Sequence, residues 1–401
     1  QFVSDAGIAG AVAAITSEAV TAAIPSVKVD DTRFALGQIA RLNRRKFSGP
    51  VVALTGSAGK TTTKEMVARI LCERGEVLAT EANFNNEIGV PLTLLAIDPS
   101  HQFAVVEMGA SHIGDIAYLT QFAEPTIAVL TNAMAVHIEG FGSIEAVAKT
   151  KGEIFENLPE GGVAIINQDE PFFQQWLQQA GKASVVTFSK YDTSANYYAS
   201  NIHIQTNAST VFELHLAQQT ITIKLALLGE HNVLNAVAAA AAAMTAGATV
   251  DDVKKGLESV RPVDGRLKAS ADSNRTVIDD TYNASPGSVM AAIDVLSGFS
   301  GRRCLILGTM AELGGLAEKS HRDVANYARH KGIEELLVVG EFASLVSESF
   351  GAACLPFDDV QQLLDVLDES LHSSVILVKG SRSAHMERVV EALKNNNKRE
   401  K

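Results

Sequence analysis

Cysteine is scarce in this 401-residue chain. Cys72, Cys304 and Cys354 are scattered, odd in number, and form no C-x-x-C pair. This pattern excludes a disulfide framework and a cysteine zinc site, and it fits a reducing cytosol. Long hydrophobic runs are also missing. No segment supplies the roughly 20 apolar residues of a membrane helix. The alanine run Ala236–Ala243 is too weakly apolar, and His231 and Asn232 lie just before it. No signal peptide is visible, although the chain starts at Gln1 without a methionine. Basic residues are in the minority, 34 against 46 acidic ones, for a formal net charge of -12. An acidic chain repels polyphosphate backbones, so no nucleic acid is expected as a partner. A local basic pocket for a small anion stays open.

What the sequence does contain is an α/β pattern. The length exceeds one ordinary core and predicts two or three domains. The runs VVALT (51–55), FAVVEM (103–108), TIAVLTN (126–132) and GVAIIN (162–167) have the length and apolarity of buried strands, and each precedes a helical pattern. Such alternation predicts a parallel sheet covered by helices. From about Asn196, NIHIQT, STVFELHLA and QTITIKLAL read as successive antiparallel strands, a small meander inserted or appended. His231–Gly247 then reads as a helix. A second α/β series follows a boundary near Arg261–Gly265. Its strands are RTVIDD (275–280), RCLILG (303–308), ELLVVG (335–340) and SVILVKG (374–380), which predict a separate doubly wound domain. The first 30 or so residues are too few to bury a core of their own.

The stretch GSAGKTT (56–62) joins a strand to a helix. Gly56 and Gly59 permit the close backbone approach of a phosphate cradle, in which Ser57, Ala58 and Thr62 also lie. The helix that follows offers unpaired N–H groups. Lys60 is expected along the β- and γ-phosphates and the Thr61 hydroxyl on Mg²⁺. Leu54 stands where the usual spacing has a glycine, and an ordinary glycine turn is the bland alternative. Glu107 ends a buried strand, where open α/β sheets place ligands; it is a candidate metal ligand or a solvated strand-end acid. His137, beyond the next strand, is a ligand candidate or a structural histidine. In SIEAVAKTKGEIFENL (143–158), Lys151 falls on the apolar stripe of an amphipathic helix and Lys149 does not. Burial of Lys151 would lower its pKa and leave a modifiable neutral amine; alternatively its stem snorkels.

The segments GSAGKTTTKEM, NFNNEIGVPLTLL (83–95), VVEMGASHIGDI (105–116), HIEGFGSIEAVAKTKGEIF (137–155) and GEHNVLNAVAAAA (229–241) together resemble the Mur ligases. The resemblance runs along the whole chain. NNEIG, DDTYNASPGSV (279–289), GTMAELG (308–314) and VKGSRS (378–383) are similar to the branch that joins D-Ala-D-Ala to UDP-N-acetylmuramoyl-tripeptide. The family implies three parts: a remnant of an N-terminal UDP-substrate domain over 1–29, a central ATP-binding domain over 30–264, and a C-terminal Rossmann-like domain over 265–401. It implies an ATP-dependent amide ligase of cytoplasmic peptidoglycan precursor synthesis, expected to be a monomer, with two Mg²⁺ ions.

The resemblance also assigns roles. Lys60 and Thr61 would bind ATP and Mg²⁺, and Glu107 and His137 would bind magnesium. Lys151 would be carbamylated by CO₂ and help hold the second metal. Asn235, with His231 and Asn232 nearby, would meet adenine. Arg266 would reach the ATP phosphates and Asp280 would lie near the ribose. Asn83, Asn85, Asn86, Asn283 and Ser285 are expected at the substrate. Lys379, Ser381 and Arg382 are expected to hold a substrate carboxylate, for which arginine is suited. For these loop residues a plain turn-capping role is the alternative. Thr309 departs from the acid that members often carry there.

The implied reaction activates a peptide carboxylate as an acyl phosphate, which the dipeptide amine then attacks. No general base is evident from the sequence. Three rivals stay open: another Mur or folylpolyglutamate-type amide ligase, a P-loop ATPase without ligation, and a nucleotide-binding regulatory module.

Overall fold

Two large sheets carry the fold, and the parallel strands at their centres are buried on both faces. The structure, a computed structural model, describes residues 2–399 except 22, 206–208, 218, 272–274 and 372–373. In chain order the strands are β1 (Ala14–Thr16), β2 (Ser26–Lys28), β3 (Val51–Thr55), β4 (Val77–Ala79), β5 (Phe103–Glu107), β6 (Ile127–Leu130), β7 (Val163–Asn167), β8 (Ser184–Ser189), β9 (Tyr197–Gln205), β10 (Ser209–Leu216) and β11 (Gln219–Leu225). They continue with β12 (Lys268–Ala271), β13 (Thr276–Asp280), β14 (Arg303–Gly308), β15 (Glu335–Val339), β16 (Cys354–Phe357) and β17 (Val375–Lys379).

The first large sheet has the order β11-β10-β9-β8-β7-β6-β3-β5-β4. Strands β4 to β9 run parallel, and β9, β10 and β11 pair antiparallel. The expected meander is present and is appended to this sheet. It extends the edge of the same sheet through β8. Every residue of β3 and β5 is buried, as expected for parallel strands covered on both sides. β10 alternates buried and half-buried positions instead, because its outer face is less covered. The alanine-rich helix Glu230–Thr245 packs into this core. Ala236–Ala243 have no exposed surface and share a cluster with Val52, Leu54, Met66 and Ile70. Small side chains let this helix approach its neighbours closely.

The second sheet has the order β12-β13-β17-β14-β15-β16. Only its edge strand β12 is antiparallel. Helices cover both faces and form one core around Ile293, Leu305 and Val324 and another around Ile306, Leu363 and Val389. This is the expected doubly wound arrangement. The strands β4, β8, β12 and β16 were not anticipated; all are short or poorly buried.

Before β3 the chain forms a helix, Phe2–Ile8, with no buried residue, and the parallel pair β1–β2. No helix among the described residues is long and apolar enough to cross a membrane.

Each large sheet has a point where the chain order reverses. In the first, β3 lies between β5 and β6; in the second, β17 lies between β13 and β14. Ligands bind at the carboxyl ends of strands beside such points. Both points open onto one cleft of about 1340 Å³.

Candidate active site

The cleft is lined from the first sheet by Ser57–Thr62, Glu107, His137, Lys151, Asn232 and Asn235. From the other side come Arg266, Asp280, Asn283, Ser285, Lys379, Ser381 and Arg382. Asn85 and Asn86 reach it too, whereas Asn83 does not line it.

The turn after β3 is held by a second loop. Asn132 accepts from the Ala58 N–H (2.8 Å) and donates to the Ala58 carbonyl (3.1 Å). The Met134 N–H donates to Ser57 Oγ at 2.9 Å. Gly59 has φ 80°, and a Cβ there would lie 2.4 Å from Asn235 Oδ1, so only glycine suits both the backbone and the space. No side chain caps the helix Lys60–Cys72. Its first N–H groups and dipole are thus available to an anion. Lys60 curls back, and its amine donates to the Gly56 carbonyl at 2.8 Å. Burial pushes its pKa down, with Arg266 adding to the effect and Glu107 opposing it. Leu54, in place of the usual glycine, is a fully buried strand residue. The turn itself is made by Gly56 and Gly59.

Glu107 is 2 % exposed. Its Oε1 accepts from Asn85 Nδ2 at 2.8 Å, while Oε2 is buried without a hydrogen-bond partner. An unpaired buried carboxylate oxygen is costly unless a cation completes it. Among the described residues no three His, Cys, Asp or Glu side chains gather as a metal cluster. One buried carboxylate beside a phosphate-binding turn fits Mg²⁺, which takes one or two protein carboxylates together with substrate phosphates and water. The Thr61 hydroxyl accepts from Arg266 at 3.0 Å, and the Arg266 guanidinium stacks over Tyr282 at 4.1 Å.

Lys151 is 1 % exposed, on the helix Ile144–Gly152. It is not a snorkelling surface lysine. Burial, reinforced by Lys60, holds its pKa well below the usual lysine value, against a pull from Asp115. His137 begins the next turn with φ 50° and pairs through Nδ1 with Glu312. Burial lowers its pKa, and Glu312 opposes that shift.

Asn235 donates to Asn232 Oδ1 (3.1 Å), and Asn232 donates to the Leu228 carbonyl (2.8 Å). On the opposite wall Lys379 pairs with Asp280 (2.5 Å) and donates to the Asn283 carbonyl (2.9 Å). Burial raises the Asp280 pKa against the pull of Lys379. Asp280 and Lys379 were expected to contact different ligand groups, and the structure brings them together as one pair. Ser285 caps the helix Pro286–Ser297 through a box with Ser288. Ser381 accepts from the Ala311 N–H and donates to the Thr309 carbonyl, both at 2.7 Å. Both serines line the cleft while making these bonds. Arg382 keeps an exposed guanidinium on the cleft wall. Thr309 donates to the Val339 carbonyl at 3.3 Å.

Sequence reasoning missed Asn132, Glu170 and Glu312, all of which line the cleft. Asn132 closes the run TIAVLTN, and a polar residue ending a buried strand was its only signal. Burial raises the Glu170 pKa to about 7, although Oε2 accepts from the Ala133 N–H.

Comparison with known proteins accounts for this arrangement. Residues 54–243 match the Mur ligase middle domain, and residues 265–382 match the Mur ligase glutamate ligase domain. The chain is 42% identical over 99% of its length to UDP-N-acetylmuramoyl-tripeptide–D-alanyl-D-alanine ligase of Escherichia coli, covering 88% of that protein. It is 36% identical to the Bacillus subtilis ligase of the same name, over 92% of this chain and 80% of that one. A crystal structure of MurF from Acinetobacter baumannii superposes with a TM-score of 0.93 at 34% identity, covering 98% of this chain and 87% of the other. MurF ligase from Thermotoga maritima in complex with ADP gives 0.89 at 27%, covering 100% and 92%. With both domain models matched and this identity held along nearly its whole length, the chain belongs to the Mur ligase family.

Proposed function

We propose that the chain is an ATP-dependent ligase that adds D-Ala-D-Ala to UDP-N-acetylmuramoyl-tripeptide through an acyl phosphate. The observation that carries this reading is the convergence of both sheets on one cleft, with a phosphate-binding turn on one wall and cationic groups on the other. Relatives matched over nearly the full chain carry that activity in their names.

A carboxylate is a poor acylating agent because its leaving group would be oxide. Phosphoryl transfer from ATP supplies a better one. The turn Gly56–Thr62 holds the ATP phosphates through its N–H groups, and Lys60 leaves the Gly56 carbonyl to lie along them. Arg266, already on Thr61, adds positive charge when the two walls approach the nucleotide. Asn235 and Asn232 present amide groups for adenine. Thr61, Glu107 and His137, with Lys151 as its carbamate, would hold Mg²⁺, which offsets charge on the phosphoryl group and draws the anionic reactants together. Lys151 suits carbamylation because a buried neutral amine can attack CO₂; an N–C bond forms and one proton leaves. Arg382 binds a substrate carboxylate, with Asn283 beside it. Closure excludes water, which would hydrolyse the acyl phosphate. A monomer with the domain division 1–29, 30–264 and 265–401 is part of this reading.

The test is ADP release with ATP, Mg²⁺ and UDP-N-acetylmuramoyl-tripeptide, with and without D-Ala-D-Ala. Dipeptide-dependent release with pentapeptide product by mass spectrometry is expected. Dipeptide-independent release would leave only an ATPase.

A further inference from the structure

Two residues with left-handed backbone meet across the cleft. Among the described residues, seven non-glycine residues have positive φ, and four of them line the cleft: His137, Leu267, Glu312 and His385. Such strain persists where the surroundings enforce it, and it concentrates at functional sites. His137 (φ 50°) and Glu312 (φ 61°) are the two that touch, Nδ1 to carboxylate.

They belong to different halves of the molecule, and each is anchored in its own. His137 opens the turn Ile138–Phe141, whose ends are buried against the first sheet. Glu312 lies in the loop after β14. There the Met310 N–H donates to His321 Nε2 (3.0 Å) and the Ala311 N–H to Ser381 Oγ (2.7 Å). Met310 and Leu313 are buried on either side of the exposed Glu312. The loop sits close enough that a Cβ on Gly314 would lie 3.0 Å from Glu139 Cγ. The carboxylate thus reaches His137 only while the second half lies against the first.

A carboxylate that accepts the Nδ1–H of an imidazole fixes both its ring orientation and its tautomer. It leaves the Nε2 lone pair for a metal, and such partners are commonly worth a factor of ten or more in metal affinity. We propose that Glu312 is a positioning residue that holds His137 in its metal-binding tautomer across the cleft, so that this metal site is complete only when the halves are together. The inference rests on the reading of His137 as a metal ligand.

The test uses the full chain with a non-hydrolysable ATP analogue and Mn²⁺, whose binding is followed by electron paramagnetic resonance. The His137 tautomer is read separately by long-range ¹⁵N NMR. Glu312→Ala is expected to weaken Mn²⁺ binding about 10- to 100-fold and to lose the Nδ1–H tautomer. Glu312→Gln, whose carbonyl can still accept, restores part of both. His137→Ala is the reference. If it weakens Mn²⁺ binding while Glu312→Ala binds as wild type with its tautomer unchanged, the positioning role is overturned and the metal site stands. If His137→Ala also binds as wild type, His137 is no ligand and both readings fall. Glu312 is exposed on a separately anchored loop, so the fold survives these substitutions; melting curves check this.

Discussion

At the scale of single residues, the most informative atom is Glu107 Oε2, buried with no partner. A carboxylate kept in that state weakens the empty protein and gains when a cation arrives. Glu107→Gln is therefore expected to leave the nucleotide-free protein at least as stable, by up to about 2 kcal/mol. It should also remove the gain from Mg²⁺ and ATP analogue, which in the wild type reaches about 2.7 kcal/mol at a hundredfold excess over Kd. Urea unfolding with and without the ligands measures both. Equal ligand gains in the two proteins would exclude Glu107 from the metal site. Lys60→Met tests the neighbouring group. With the only cation of the turn gone, kcat should drop about 10²- to 10³-fold, and ADP release measures it.

At the scale of elements, one substitution at two glycines separates stability from binding. Gly256 sits where the helix Val250–Ser259 crosses the helix Lys60–Cys72, and a Cβ there would lie 2.4 Å from Ile70 Cα. Backbone cannot step aside as a side chain can. Gly256→Ala should cost about 1–3 kcal/mol of stability, seen as a lower urea midpoint. Gly59→Ala strains one turn by about 1–2 kcal/mol and pushes Asn235 from its place. Its main effect should be weaker ATP binding by calorimetry. The elements also show what was legible. β3, β5, β6, β7 and the strands of the second series stood out because parallel strands covered on both faces read as unbroken apolar runs. The glycine turn was legible for its local spacing. β8 and β16 did not stand out, since each has two exposed residues and β16 carries Pro356 at a sheet edge. Lys151 could be singled out by its helical stripe. The pairing of Asp280 with Lys379, 99 positions away, and that of His137 with Glu312 could not, because only the folded chain brings them within reach.

At the scale of the whole molecule, two groups on the cleft give stability opposite dependences on pH. Burial lowers the His231 pKa from 6.5 to about 4, helped by Lys379 and Lys190 and opposed by Asp294 and Glu230. The unfolded chain then takes up this proton below pH 6.5 while the folded chain does not, so stability present above 6.5 is lost as pH falls toward 4. Glu170 behaves in reverse. Burial, with some help from Asp169, raises its pKa from 4.5 to about 7, against the Ala133 N–H. The folded chain keeps that proton where the unfolded chain releases it, so stability present below 4.5 is lost as pH rises through 7. Between pH 4.5 and 6.5 the two slopes oppose each other. Urea midpoints of the wild type should therefore change little there on account of this pair. Glu170→Gln leaves the histidine slope, and its midpoint should rise with pH. His231→Gln leaves the glutamate slope, and its midpoint should fall. Parallel midpoint curves for both variants and the wild type would show that neither group is held in these states. Opposite tilts would show that the cleft keeps a neutral imidazole and a protonated carboxyl on one wall, ready to meet a nucleotide without adding to its negative charge.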